Sequence, residues 1–183
     1  IGAEGFAGAV YVFDVAAGQE LRKLTASDGV NGDRLGGSVS ISGALIAAGA
    51  RYADSLAGAA YVFDANTGAE IVKLLPADGA AGDTFGEAIA IQGDRVVVGA
   101  PRHDLNGDSS GAVYLFDAVT GHEIMKLVAS DGAAHDRFGS AVSIHGTKIV
   151  VGAPQSDTQI NNGGASYLYD LVTGQELGKL VGN

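Results

Sequence analysis

Cysteine and tryptophan are absent from this chain, and proline occurs three times in 183 residues. Without cysteine there is no disulfide framework, thiolate nucleophile or thiolate metal ligand to seek, an absence compatible with an exported or a cytosolic protein. Cations are also scarce: 11 Lys and Arg stand against 21 Asp and Glu, a formal net charge of −10. Sequence-independent binding to nucleic acid rests on cations that neutralise phosphates, so this balance argues against a nucleic-acid partner and equally against an anionic membrane surface. No uninterrupted apolar run reaches eighteen residues, which argues against membrane insertion, and the opening IGAEGFAGAV lacks the charged segment of a signal peptide. Any targeting segment is therefore expected to have been removed. The signature HExxH and a Gly-Lys-Ser/Thr phosphate loop are missing too. The four histidines, at 103, 122, 135 and 145, form no ligand pair at useful spacing. A carboxylate pair for glycoside hydrolysis can in principle assemble from distant acids, but no residue singles one out.

What is present is glycine, 29 residues of it, in a chain whose hydrophobic fraction is 46%. That combination describes an ordered chain with many tight turns. The turns fall in a repeat. GAVYVFD starts at Gly8, GAAYVFD at Gly58, GAVYLFD at Gly111 and GASYLYD at Gly164, so the motif returns after 50, 53 and 53 residues. LGGSVSI from Leu35, FGEAIAI from Phe85 and FGSAVSI from Phe138 keep the same phase, each followed by a β-rich run ending in GAR, GAP or GAP. A period near 50 residues is that of propeller blades.

Within the repeat that begins at Phe85, four β-runs alternate with turns. GEAIAI alternates small and aliphatic side chains and is read as the innermost strand. A glycine-bearing hairpin turn follows, then RVVVGA, apolar on both faces as a strand covered on both sides must be. After a variable loop comes GAVYLFD, closed by a turn of the form DxxTG, and then an outer strand with Glu and Lys at fixed places (Glu20, Glu70, Glu123, Glu176; Lys23, Lys73, Lys126, Lys179). Such charges guard an exposed strand edge. Asp14, Asp64, Asp117 and Asp170 read as turn formers rather than ligands. The acidic connections SDGVNGD, ADGAAGD and SDGAAHD, with paired aspartates at 28/33, 78/83 and 131/136, read as Asp-Gly turns pinned by the second Asp, with a metal site as the alternative.

Phe85-Gly86 followed by Gly99-Ala100-Pro101 and GAVYLF, and Phe138-Gly139 followed by Gly152-Ala153-Pro154, make the chain resemble the FG-GAP repeat family. These are the integrin-α-like β-propeller repeats, in the subtype of exported bacterial proteins with KLxASDGAAGDxFG connections. The likeness spans essentially the whole chain, although Leu35 and Arg51 replace Phe and Pro in the first copy. It implies an all-β propeller of four-stranded blades: a half blade at 1–34 and blades at about 35–84, 85–137 and 138–183. It also implies a non-enzymatic role in extracellular or cell-surface adhesion, with a protein or glycan as ligand. The family's calcium loop of DxDxDG type is replaced here by tight turns, so that calcium role does not carry over.

Fourteen strands make three and a half blades, whereas a propeller typically closes with four to eight. Two copies would contribute two outer half blades and no inner one. The expectation is either a longer parent chain or homo-oligomeric assembly with further copies, because a bare blade face and a free strand edge both favour association. One local candidate for calcium is HDLNGDSS, in which Asp104, Asn106 and Asp108 alternate as in the start of an EF-hand loop, without the distal Glu. A solvated polar loop is the alternative. The candidate ligand-binding loops are those that differ most between repeats, represented by Arg51, Tyr52, Asp54, Arg102, His103, Gln155 and Asp157.

Overall fold

The computed structural model describes residues 7–156 and 163–181. Among these residues fourteen strands follow one another, interrupted by one helical turn. β1 (Val10–Phe13) and β2 (Glu20–Leu24) form a two-stranded sheet. Three four-stranded antiparallel sheets follow, each in simple sequence order. They are β3 (Ser38–Ser42), β4 (Leu45–Ala50), β5 (Ala59–Asp64) and β6 (Glu70–Leu74); β7 (Ala88–Gln92), β8 (Arg95–Ala100), β9 (Ala112–Asp117) and β10 (Glu123–Leu127); and β11 (Ala141–His145), β12 (Lys148–Ala153), β13 (Ala165–Asp170) and β14 (Glu176–Val181). Among the described residues these make propeller-type blades, three of four strands and one of two, in an array that is not closed. No helix among the described residues is long and apolar enough to cross a membrane.

Hairpin chemistry sets the register of each blade. Gln92 pairs with Arg95, which leaves Gly93 and Asp94 as a two-residue loop, and Gly93 sits at φ 57°. Glycine in the first of two loop positions is what lets so short a turn follow the twist of its strands.

The core lies between blades. On β8, Val96 and Val98 face the preceding blade, where they meet Ala47, Val62 and Leu74, while Val97 faces the following one, with Phe138, Ile149 and Val151. That two-sided burial explains the unbroken apolar run RVVVGA, and full burial of such a side chain contributes roughly 1.5–3 kcal/mol. β12 has the same kind of sequence but alternates, with Val150 42% exposed, because no further blade covers its outer face among the described residues.

The FG and GA pairs meet at the blade seams. Phe85 is fully buried edge-on against Tyr114 and Phe116, and Phe138 against Tyr167 and Tyr169. Leu35 is buried beside Tyr61 and Phe63 in the corresponding place, so the degraded first copy keeps its seam with a smaller side chain. A Cβ added to Gly99 would stand 2.0 Å from the carbonyl oxygen of Gly139 in the next blade, and one on Gly49 equally close to that of Gly86. The motif's second glycine is therefore a requirement of backbone approach. β7 lies against β3 on one side and β11 on the other, as an innermost strand does.

Candidate functional site

The two edges of the blades differ in what they hold. On one edge the β3–β4 and β5–β6 turns meet, through the amide of Ala65 donating to Ala44 O, and the pairs Ala118–Asp94 and Leu171–Thr147 repeat that contact. The turn aspartates cap their own turns: Asp64 Oδ1 accepts from Asn66 N, Thr67 N and Thr67 Oγ1 at 2.9, 2.7 and 3.0 Å, Asp117 and Asp170 do the same, and Asp14 Oδ1 accepts from the amides of Ala16 and Ala17. The turn-former reading holds. These amides lower the carboxyl pKa values of Asp64, Asp117 and Asp170 below the usual range.

On the opposite edge the loop after each second strand rests on the acidic connection, through Tyr52 N to Asp33 O, Arg102 N to Asp83 O and Gln155 N to Asp136 O. The second aspartate of each connection is buried and closes its own loop, accepting from the amides of Val30, Ala80 and Ala133. The first aspartate reaches the blade that follows. Asp78 accepts from Tyr114 Oη (2.8 Å) and Lys126 Nζ (2.7 Å); Asp28 takes Tyr61 and Lys73, and Asp131 takes Tyr167 and Lys179. Each lysine also stands 5.0–5.6 Å from the ring centroid of its tyrosine. The outer-strand glutamates complete the arrangement: Glu70 and Glu176 accept from both the amide and hydroxyl of Ser27 and Ser130, and Glu123 from the amide of Ala77.

These charges clamp one blade's exit loop onto the next blade, a role beyond guarding an edge. Hydrogen bonds from Lys73 and Lys179 hold the carboxyls of Asp28 and Asp131 below the usual carboxylate range. For Asp78 burial pulls the other way, but Lys126 and Tyr114 outweigh it and the net direction is the same. Burial pushes the phenols of Tyr61, Tyr114 and Tyr167 up, which keeps them donors. Sequence reading missed this clamp; its signal was the joint recurrence of Asp, Tyr and Lys across neighbouring repeats.

Between the loops of adjacent blades on this edge lies a polar cavity of about 210 Å³, walled by Arg51, Tyr52, Thr84, Glu87, Arg102 and Arg137 among others. Arg51 Nη1 pairs with Glu87 Oε1 at 2.6 Å, and the guanidinium groups of Arg34 and Arg51 lie 4.8 and 4.9 Å from the Tyr52 ring centroid.

The repeat, its seams and its loops now decide the family. The FG-GAP repeat pattern matches residues 19–63, 69–116 and 122–169. The chain belongs to the FG-GAP repeat family. No curated protein matches it. Among solved structures it is similar to that of the computationally designed Ika4 protein, with 21% identity, a TM-score of 0.59, and coverage of 91% of this chain and 81% of that one. At that identity the likeness concerns the fold.

The FG-GAP frame gathers some of the expected site residues and disperses others. Arg51, Tyr52 and Arg102 share the cavity. Asp54 is drawn aside to Lys73, at 2.8 Å, and lies in the helical turn α1 (Ala53–Leu56), where Asp54, Ser55 and Leu56 all have positive φ. His103 is turned inward and buried: its Nδ1 is 2.8 Å from Asp83 Oδ2 and its Nε2 2.6 Å from Lys126 Nζ. Those neighbours assign the proton to Nδ1, with Nε2 accepting from the lysine. Gln155 is half-buried beside Asp136, and Asp157 lies outside the described residues. In the loop named as a calcium candidate, with a solvated loop as the alternative, Asp104 Oδ1 accepts from Ser109 N (2.7 Å) and Asp108 Oδ1 from Ser109 Oγ (2.9 Å), while the amide of Asn106 donates to Ser110 Oγ. Among the described residues no group of three or more His, Cys, Asp or Glu is placed to hold a metal ion.

Proposed function

We propose that this FG-GAP chain is a non-enzymatic recognition module of an extracellular or cell-surface protein, binding a protein or glycan through the edge that carries Arg51, Tyr52 and Arg102. One observation carries the reading: the variable loops that begin at Arg51 and Arg102 lie on one edge and contribute to a polar cavity there, whereas the opposite edge repeats one turn that satisfies its own aspartate. Loops on a rigid β scaffold are where binding residues concentrate. The test is an array of glycans and proteins probed with the native chain, with Arg51→Ala/Arg102→Ala, and with Asn66→Ala on the opposite edge. Loss of signal in the first variant and retention in the second is the expected result. Equal retention in both, or no signal from the native chain, refutes the reading.

A second reading, assembly with further copies, is favoured by a different observation. An apolar groove of about 330 Å³, with Tyr11, Phe13, Val39 and Ile41 in its walls, lies beside the half blade, and all four side chains are about half exposed or more. Native mass spectrometry discriminates: a multimer of the 18.3 kDa chain supports assembly, and a strict monomer at micromolar concentration refutes it.

A further inference from the structure

The cavity between the loops carries a charge opposite to that of the protein. In a chain of net charge −10, three guanidinium groups, those of Arg51, Arg102 and Arg137, stand against the single carboxylate of Glu87, which Arg51 already neutralises. Arg102 and Arg137 are exposed and, like Arg22, Lys23 and Arg34, have no ion-pair partner among the described residues, whereas Arg95, Lys73, Lys126, Lys148 and Lys179 are paired with acids.

Thr84, in the same wall, adds two independent facts. It is 3% exposed, and its Oγ1 is the one buried side-chain polar atom without a hydrogen-bond partner among the described residues. A buried hydroxyl left unpaired is costly, and such groups are rare in folded proteins. Thr84 is also a β-branched residue at φ 56°, a backbone that Arg34 and Arg137 share at the same place in their repeats and that suits threonine least. Thr84 thus brings an unpaired hydroxyl to the wall that also holds the Arg102 and Arg137 guanidinium groups.

We propose that this cavity binds a compact oxyanion, the carboxylate, sulfate or phosphate group of a ligand, with Arg102 and Arg137 supplying charge-assisted hydrogen bonds and Thr84 Oγ1 donating the third. The guanidinium fork matches a carboxylate or phosphate edge, which a lysine does not. The volume, below the roughly 300 Å³ at which sites for drug-sized molecules begin, suits one charged group rather than a whole ligand. This rests on the recognition reading above and specifies its chemistry.

The test is calorimetric titration at low ionic strength with acetate, glucuronate, inorganic sulfate and inorganic phosphate, each against the native chain and three variants. Arg102→Gln/Arg137→Gln is expected to weaken binding by about tenfold or more, and Thr84→Val by several-fold, as loss of one hydrogen bond implies. Arg22→Gln, at a basic residue on the outer strand β2, is expected to change nothing. Preference for acetate and glucuronate would mark a carboxylate ligand, and preference for sulfate and phosphate a sulfated or phosphorylated one; either supports the proposal. Binding of none of the four anions, or equal weakening by Arg22→Gln, overturns it. If the double variant does not fold, the thermal shift given by sulfate in the single variant Arg137→Gln decides, an undiminished shift being the contrary result. Array binding that survives alongside absent anion binding would refute this inference and leave the recognition reading standing.

Discussion

Thr84 is where stability and binding pull apart. Arg34, Thr84 and Arg137 hold the same place before the seam residue, at φ 58°, 56° and 55°, and of the three threonine is the worst suited to that backbone. Thr84→Gly relieves the strain and removes the unpaired hydroxyl, and is expected to stabilise the fold by about 1 kcal/mol while weakening anion binding. Urea unfolding checks the first effect, and an unchanged or lower midpoint would contradict it. Asp104 is a plainer case. With Oδ1 already on Ser109 N, no rise in melting temperature is expected when calcium is added to chelator-treated protein. A rise abolished by Asp104→Ala would assign the loop to a metal. The turn aspartates were legible because their partners lie two and three residues away. The inward turn of His103 was not, because its partners Asp83 and Lys126 come from other segments of the chain.

Among the elements, the exit loops and seams carry the connection between blades. The clamp aspartates have carboxyls held below the unfolded value of about 3.9, so their contribution is fully present above that pH and is lost as pH falls through the lower folded value. Melting temperature should therefore fall as pH drops from about 5 toward 3. Lys126→Met should flatten that dependence, and an identical acid profile in the variant would contradict the clamp. At the seam, Gly99→Ala forces a methyl onto the Gly139 carbonyl and is expected to destabilise by more than about 2 kcal/mol in chemical unfolding. Strand order and turns were readable because the period-two pattern and the glycines act locally. The clamp was harder to see, since its Asp and Lys lie 45 to 48 residues apart and each looks like ordinary surface charge when taken alone.

For the whole molecule, repetition is what made the fold legible: fourteen strands in one phase leave little choice but a row of blades. Function follows the departures from the repeat, and these were only partly visible. Arg51, Tyr52 and Arg102 stood out as variable loop residues, but Arg137 and Thr84 join them only through the meeting of adjacent blades. If recognition belongs to that edge, amide hydrogen exchange with and without the strongest ligand from the array will show it. Protection confined to residues 51–57, 84–87, 101–103 and 137–140 is the predicted footprint. Protection centred instead on the turns at 64–69, 117–122 and 170–175 would contradict the account.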